Sequence, residues 1–299
     1  MEIAKRREVV IDEKEAATWI KDGMTVAIGG LAASGKPVAI IRQIIKNGVK
    51  DLTIVGSNLC FEADMLIGEG RVKKLIAVYV GAESLCPIAP MFRAMAQRGE
   101  LNIWECGEGH LQAGLSASGM ALPFLPTRDG VGTSYPELNP DLKLFKDPIK
   151  GETLIAVPPI DVDVAILQAA YSDVYGNVQY VGSSRWDKSF MRAADTVIVQ
   201  VEKLVPNEDI KKNPELTVIP GASAVVRAPY GAHPFASPGF YIHDEEHIRE
   251  YVSAANTFLK QGDRRPFEAY LDKYVYGPET HADYLEQIGI KRLISLYEY

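Results

Sequence analysis

The residues best suited to chemistry lie in the segment Glu105-Cys-Gly-Glu-Gly-His110, in which Glu108 stands between two glycines. Glycine on both sides removes side-chain cover, so the carboxylate of Glu108 can reach a bound molecule. A carboxylate held in a partly dry cleft can serve as a general base or as a nucleophile. The structural alternative is that Glu108 caps a helix beginning near Leu111, because acidic residues stabilise helix N-termini. Glu108 is the predicted catalytic residue.

A second candidate is the glycine-rich loop of the segment Asp22–Pro37, which contains Gly29 and Gly30. A β-prone run, residues 25–28, precedes the loop, and apolar residues at helical spacing follow Pro37. A strand, a glycine loop and a helix N-terminus together aim backbone N–H groups at one point, which suits a phosphate, carboxylate or carbonyl oxygen. A tight strand-to-helix turn without a ligand is the alternative for these residues.

This loop nearly matches the P-loop of nucleotide triphosphatases, since Gly30 is followed after four residues by Gly35 and Lys36. The P-loop then requires serine or threonine, because that hydroxyl binds Mg²⁺. Pro37 occupies the position and offers no hydroxyl. The sequence therefore argues against nucleotide triphosphate hydrolysis.

The elements that position these residues alternate between strands and helices. Buried strands are predicted at residues 25–28, 52–56, 75–80 and 101–104. Helical crossovers between them produce right-handed βαβ units and a parallel sheet, in which ligands bind at the carboxyl ends of the strands. The four loops expected to converge there are 29–35, 56–58, 81–84 and 105–110.

The remainder of the chain continues this α/β pattern. A helix is predicted at residues 8–20, with Asp12 as its N-cap, and residues 135–153 read as a connection or flap. Further strands are predicted at 154–157, 162–167, 178–181, 193–201 and 292–296. Residues 1–299 are predicted to form a single α/β domain with an open, mostly parallel sheet flanked by helices and a helical C-terminal extension at about 245–290.

Composition excludes several classes of protein. The chain has 299 residues, 47% of them hydrophobic, which allows a sizeable core. A net charge of −7 without a basic run argues against nucleic acid as a partner. The N-terminus lacks an apolar signal region, and no window approaches about eighteen apolar residues, so we expect a cytoplasmic protein without a membrane span.

Metal binding and disulfides are not expected either. The three cysteines include no C-x-x-C pair. Cys106 and His110 lie four residues apart, but two potential ligands do not make a metal site, so packing is the preferred interpretation. His233 lies between loop-forming residues and could contact a ligand, yet a structural role is favoured because no acidic partner is near it in sequence.

The segment from Val26 to Pro37, preceded by Asp22-Gly23, resembles the signature of family I coenzyme A transferase α subunits. That signature has phenylalanine after the two glycines, where this chain has Leu31. The resemblance extends over nearly the whole chain, and it is closest to the glutaconate-type α subunits. Its other blocks are residues 64–73, 122–126, 228–234 and 283–294.

The resemblance implies a homologous β subunit in an α₂β₂ assembly, an acyl-CoA thioester and a carboxylic acid as substrates, and no permanently bound cofactor. Family transferases attack the thioester with a glutamate carried on the β subunit in a Ser-Glu-Asn-Gly motif, which this chain lacks. The α subunit would shape the acyl pocket and supply oxyanion donors, including the amides near Gly29 and Gly30. The predicted substrate-binding residues are Gly29, Gly30, Leu31, Ser34, Ser57, Asn58, Gly81 and Gly109.

Glu108 departs from the transferase pattern, which usually has glutamine at this position. An amide donates to an oxyanion, whereas an ionised carboxylate repels one. A related branch, the heterodimeric hydrolases that open steroid rings as CoA thioesters, carries glutamate there and uses it on the substrate. Three functions follow: CoA transfer, preferred on overall similarity; C–C hydrolysis of a cyclic β-oxo acyl-CoA with Glu108 as base; and non-catalytic acyl-CoA binding. The presence of Ser-Glu-Asn-Gly in the β chain separates the first two.

Overall fold

The computed structural model describes residues 6–297, which form thirteen strands and twelve α-helices. The strands are β1 (Val10–Ile11), β2 (Thr25–Ile28), β3 (Leu52–Leu59), β4 (Val72–Val80), β5 (Asn102–Ile103), β6 (Leu125–Thr127), β7 (Lys143–Lys146), β8 (Thr153–Val157), β9 (Val162–Ser172), β10 (Val178–Gln179), β11 (Ala194–Leu204), β12 (Thr217–Ile219) and β13 (Ala224–Arg227). The helices are α1 (Glu13–Thr18), α2 (Val38–Lys46), α3 (Phe61–Gly68), α4 (Pro90–Arg98), α5 (Glu108–Gly119), α6 (Tyr135–Leu138), α7 (Asp187–Ala193), α8 (Asn207–Ile210), α9 (Glu245–Gln261), α10 (Arg265–Leu271), α11 (His281–Ile288) and α12 (Ile290–Ser295). A 3-10 turn, Pro214–Leu216, and a π-helical turn, Asp272–Tyr276, complete the set.

Eight of these strands form a parallel sheet in the order β1-β13-β11-β9-β2-β3-β4-β5. β10 pairs antiparallel with β9 and with β12. A separate antiparallel sheet has the order β6-β8-β7. The predicted fold class, an open and mostly parallel sheet flanked by helices, is confirmed.

Both faces of the sheet are covered, so its central strands read as continuous apolar runs. Along β2, Val26 and Ile28 belong to the core under α2, α3 and α4, whereas Ala27 belongs to the core under α5 and α7. Strand side chains alternate between faces, so β2 contributes to both cores. The loop that follows β2 is therefore anchored from both sides.

In the N-terminal half, the structure differs from the sequence prediction at the start of α1 and at the end of β3. Residues 8–20 are not one helix, because Val10 and Ile11 pair with β13 at the sheet edge and the helix begins after Asp12. Asp12 is the N-cap as predicted, with Oδ1 accepting the Glu15 N–H at 2.7 Å. β3 continues to Leu59 instead of ending at residue 56. The predicted loop residues 57 and 58 thus lie within a strand.

Two further differences concern the C-terminal half. β13 was not predicted, although it lies inside the sheet between β1 and β11. Residues 292–296, predicted as a strand, fall mainly in α12. Here tertiary packing overrides local β propensity, since Leu293 of α12 is buried. None of the helices within residues 6–297 combines the length and apolar character needed to cross a bilayer.

The C-terminal helices pack on the face that carries α2, α3 and α4. The Tyr251 hydroxyl donates to Asp64 Oδ2 at 2.7 Å and links α9 to α3. His233 is fully buried, with Nε2 3.1 Å from Asp244 Oδ2 and Nδ1 2.7 Å from Tyr284 Oη. Burial lowers the pKa of His233. This histidine is structural, and its acidic partner lies eleven residues away in sequence.

Glu202, near the end of β11, is a buried carboxyl that joins this region to the sheet. Its side chain accepts hydrogen bonds from the Tyr241 hydroxyl at 2.7 Å, the Tyr230 N–H at 2.7 Å and Gln168 Nε2 at 2.9 Å. Burial outweighs these donors and raises the pKa of Glu202 from 4.5 to about 7. The folded protein therefore holds a proton that the unfolded chain releases at lower pH.

This difference predicts a pH dependence of stability. The contribution of Glu202 is complete below its unfolded pKa and is lost as pH rises through about 7. Between about pH 5 and about pH 8, the unfolding free energy of the wild type should fall relative to that of Glu202→Gln by about 2–3 kcal/mol. Urea unfolding of both proteins across this range measures the difference. A difference that stays constant with pH would contradict the assignment.

Candidate active site

The loops at the carboxyl ends of β2, β3 and β5 meet as predicted. The Ala32 N–H donates to the Asn58 carbonyl at 3.1 Å, which joins the glycine loop to β3. The Ser57 hydroxyl lies 3.4 Å from Glu108 Oε1, which joins β3 to the loop after β5. Predicted residues from three separate segments therefore share one edge of the sheet.

Glu108 is the first residue of α5, so the helix begins three residues before the predicted position. In this chain its side chain is exposed, which corrects the expectation of a partly dry cleft. Ser57 is 1% exposed, and its hydroxyl lies within hydrogen-bond distance of both Glu108 Oε1 and Asn58 Oδ1, at 3.4 and 3.1 Å. One hydroxyl proton serves one acceptor at a time. Glu108 thus occupies a helix N-terminus and also faces the polar end of β3.

The first turn of α5 is fixed by two side chains beneath it. His110 is fully buried; its Nδ1 accepts the Gly107 N–H at 3.0 Å, and its Nε2 donates to the Asp129 carbonyl at 2.9 Å. Asp129 Oδ2 accepts the Gly109 N–H at 3.1 Å. Both ring nitrogens of His110 are used, and burial raises the pKa of the Cys106 thiol to about 12. Cys106 and His110 are therefore packed in the interior, as expected. Residues 6–297 contain no group of three or more histidine, cysteine or acidic side chains that could hold a metal.

The N–H groups of Gly29 and Gly30, predicted as oxyanion donors, are already engaged. The Gly29 N–H donates to the Ile166 carbonyl at 2.9 Å, and the Gly30 N–H donates to Asp187 Oδ1 at 2.9 Å. This corrects the expectation that these two groups are free. In the loop 29–35, the Ala33 N–H is the amide that makes no hydrogen bond to another described residue.

Close packing explains why glycine is needed in this loop. Gly30 has a φ of +83°, and a Cβ there would lie 2.3 Å from the Gly35 carbonyl oxygen. A Cβ on Gly29 would lie 2.7 Å from Asp187 Oδ1. A side chain at Gly30 must distort the loop's own backbone, and one at Gly29 must displace Asp187 and Leu167, so both glycines are required by packing irrespective of a ligand.

The other predicted substrate-binding residues divide into two groups. Gly81 donates its N–H to the Leu59 carbonyl at 2.9 Å, and the N–H of Gly109 is bonded to Asp129, so both amides have internal roles. Three side chains at the edge remain partly exposed. They are Leu31, Ser34 and Asn58. Their contact with a substrate stays a prediction.

A buried ion pair that is not evident from the sequence lies below the loop. Lys36 Nζ lies 3.1 Å from Glu62 Oε1, and both side chains are fully buried. Lys36 also donates to the Asn58 carbonyl at 2.8 Å, and the Glu62 carboxylate accepts the Cys60 N–H at 3.0 Å. The near-P-loop pattern pointed to Lys36, but no local pattern identifies Glu62 as its partner.

A second missed cluster covers the glycine loop from the other half of the chain. Asp187 accepts the Tyr180 hydroxyl at 2.9 Å in addition to the Gly30 N–H, and burial raises its pKa to about 6. Arg185 Nη2 donates to Ser34 Oγ at 2.8 Å. These residues lie about 150 positions from the loop in sequence. Only the pairing of β2 with β9 brings them close.

The site is an open surface of this chain. It presents a carboxylate, a carboxamide and a guanidinium, from Glu108, Asn58 and Arg185, and the buried Ser57 hydroxyl lies directly beside Glu108. A cleft of about 460 Å³ that includes Thr25, Thr53 and Lys74 lies at the amino ends of the strands, on the opposite edge. A reaction at the carboxyl edge that must exclude water would therefore require another surface to cover it.

Residues 11–225 match the family model described as coenzyme A transferase. The chain is 31% identical over 298 residues to the A-type subunit of glutaconate CoA-transferase from Acidaminococcus fermentans, covering 94% of this chain and 91% of that protein. A chain of the crystal structure of that species' glutaconate coenzyme A-transferase matches with a TM-score of 0.89 and 30% identity, covering 97% and 96%.

Two other proteins are similar to this chain over most of its length. The cholesterol ring-cleaving hydrolase IpdA subunit of Mycobacterium tuberculosis is 32% identical over 284 residues, covering 90% of this chain and 93% of that protein. An uncharacterized protein of Archaeoglobus fulgidus is 36% identical over 288 residues, covering 95% of this chain. The chain spans only 63% of the length of that archaeal relative.

The buried ion pair predicts a specific pattern of stability. Lys36→Met leaves the Glu62 carboxylate buried without its counter-ion, which should cost about 3–5 kcal/mol. Lys36→Met combined with Glu62→Gln removes both charges, so the double variant should lose much less than the sum of the two single losses. Urea unfolding of the four proteins measures this coupling, and additive losses would refute it.

Proposed function

Because the chain belongs to the coenzyme A transferase family, in which it matches the A-type subunits, we propose that it is the α subunit of a glutaconate-type acyl-CoA:carboxylate CoA-transferase. The correspondence with the A-type subunit of glutaconate CoA-transferase carries this proposal, since it extends over nearly the full length and therefore includes the C-terminal helices. The substrates are an acyl-CoA thioester and a carboxylic acid, handled in the cytoplasm without a permanently bound cofactor.

The nucleophile comes from a partner in this proposal. The chain contains no Ser-Glu-Asn-Gly motif, so the attacking glutamate belongs to a homologous β subunit in an α₂β₂ assembly. The exposure of Glu108 supports this arrangement, because a reactive thioester must be kept from water. The β subunit provides both the missing cover and the nucleophile.

This chain supplies hydrogen-bond donors around the reacting carbonyl. When a carboxylate attacks the thioester carbon, negative charge develops on the carbonyl oxygen and must be met by fixed donors. The Ala33 N–H and the Asn58 carboxamide are the proposed donors. Asn58 Nδ2 makes no hydrogen bond to another residue among 6–297, so its two hydrogens are free for the substrate, and Oδ1 lies 3.1 Å from the Ser57 hydroxyl on the other side of the carboxamide. The Lys36 contact with the Asn58 carbonyl holds this residue in place.

Glu108 must be kept from opposing that charge. The hydrogen bond from Ser57 offers such a restraint, because it draws Oε1 toward β3. In this proposal Glu108 is held beside Ser57 and is not the nucleophile.

The second candidate function is ring-opening hydrolysis of a cyclic β-oxo acyl-CoA, with Glu108 as the base. Two observations favour it: the exposed carboxylate beside Ser57, and 32% identity to a cholesterol ring-cleaving hydrolase subunit. A base must lie within about 3 Å of the proton it takes, or reach it through one water. A third candidate, an acyl-CoA-binding subunit without catalysis, predicts ligand binding with no turnover by the assembled protein.

The substitution Glu108→Gln separates these functions. In a transferase it restores the family's usual amide, so CoA transfer from acetyl-CoA to glutaconate should be kept or raised. Any decrease should stay below about 10-fold, less than the 10²–10³-fold loss that follows removal of an oxyanion donor. In a hydrolase the same change removes the base and should abolish ring opening while acyl-CoA binding persists. Both reactions are measured with the β subunit present.

The matched control is Glu105→Gln, which makes the same chemical change at an exposed position in the same loop. The lone chain is the second control, and it should show no turnover because it lacks the nucleophile. Complete loss of transfer in Glu108→Gln, with Glu105→Gln unaffected, would contradict the proposed function. Ring opening by the wild type without transfer would establish the hydrolase instead.

A further inference from the structure

Arg185 lies between β10 and α7, half-buried against the glycine loop. Its Nη2 donates to Ser34 Oγ at 2.8 Å, and its Nη1 lies 2.9 Å from the point that a Cβ on Gly35 would occupy. Its φ is +52°, a left-handed conformation that residues other than glycine rarely adopt. The guanidinium is therefore held at the loop in spite of a conformational cost.

Asp187 is close enough for the charge of Arg185 to oppose the rise in its pKa, but the two side chains form no contact ion pair. No carboxylate oxygen of residues 6–297 forms an ion pair with Arg185 within 4.0 Å. The neighbouring acid, Asp187, uses its oxygens to accept the Gly30 N–H and the Tyr180 hydroxyl. The sequence carries 39 acidic residues, so an unpaired arginine is not explained by a shortage of carboxylates. A half-buried arginine without a contact ion pair keeps N–H donors that an anionic ligand can use.

Arg185 and Glu108 lie at the same end of two neighbouring helices. The Ser189 hydroxyl of α7 donates to Gln112 Oε1 of α5 at 3.3 Å, near the start of both helices. Near their ends, a Cβ on Gly119 would lie 2.9 Å from the Arg192 carbonyl oxygen. α5 and α7 therefore run in the same direction, with both N-termini at the carboxyl edge of the sheet.

The glycine loop lies between the Arg185 guanidinium and the Glu108 carboxylate. Ser34, the partner of Arg185, exchanges backbone hydrogen bonds with Leu31 across a tight turn. Ala32, which follows Leu31 in that turn, donates its N–H to the carbonyl of Asn58, the neighbour of Ser57 in β3. The guanidinium thus stands on one side of this turn, and the Ser57–Glu108 pair stands on the other.

We propose that Arg185 is a substrate-binding residue that pairs with an anionic group of the acyl-CoA, an assignment that rests on the proposed function. A guanidinium presents several N–H donors in a planar fork that matches a carboxylate or a phosphate. Ser34 occupies one of these donors, which leaves the rest of the fork for a ligand. Two sources carry this chemistry: a carboxylate at the far end of the acyl group and the 3′-phosphate of CoA.

Four thioesters distinguish the two sources. Glutaryl-CoA and pentanoyl-CoA differ by a terminal carboxylate in place of a methyl group, and each can be made with CoA or with 3′-dephospho-CoA. Dissociation constants by calorimetry and kcat/KM are measured for the assembled wild type and for Arg185→Gln. Loss of one charge-assisted pair should weaken the anionic thioester about 10- to 100-fold. Arg185→Lys should recover part of this affinity, because it keeps the charge and loses the fork.

Lys188→Gln is the matched control, since it removes one positive charge from an exposed residue on the same segment. Its effect on all four thioesters should stay small. A loss in Arg185→Gln confined to the glutaryl esters assigns the carboxylate, and a loss confined to the 3′-phosphorylated esters assigns the phosphate. Equal loss on all four, or no loss, would overturn the proposal, because Arg185 would then only brace the loop. Wild-type binding without any transfer would count against the proposed function alone.

Discussion

The candidate site depends on a buried ion pair between Lys36 and Glu62, whose nitrogen and oxygen are 3.1 Å apart. Removing two charges from water costs several kcal/mol for each ion, so the pair persists only with close contact and further hydrogen bonds. Those bonds are present, from Lys36 to the Asn58 carbonyl and from the Cys60 N–H to Glu62. The pair therefore joins the end of the glycine loop to the end of β3. Ser57 and Asn58, two of the predicted substrate-binding residues, take their positions from it.

The remaining constraints act on the same loop from the other half of the chain. β9 pairs with β2, and this brings Asp187 and Arg185 over the glycines. Gly29 and Gly30 fit because their missing side chains leave room for the Asp187 carboxyl and for the loop's own backbone. One surface of the candidate site is thus held by contacts within a single chain. The opposite surface is open, which agrees with a site that a second subunit closes.

Local patterns predicted the elements of this architecture better than its contacts. The alternation of apolar runs with helical segments predicted the parallel sheet, and residues 25–28 form β2 as expected. The continuation of β3 through Ser57 and Asn58 is not evident from the sequence, because these residues are polar and typical of loops. Partners distant in sequence leave no local trace. The amides of Gly29 and Gly30 were therefore assigned to a ligand, although Ile166 and Asp187 accept them.

The central claim is that this chain shapes the site while a partner subunit carries the nucleophile. Intact-mass spectrometry of both subunits tests it directly, after the assembled enzyme has been incubated with acyl-CoA in the absence of an acceptor acid. We expect covalently attached CoA on the β subunit but none on this chain. Attachment of CoA to Glu108 would contradict the claim, as would the absence of covalent CoA from both subunits.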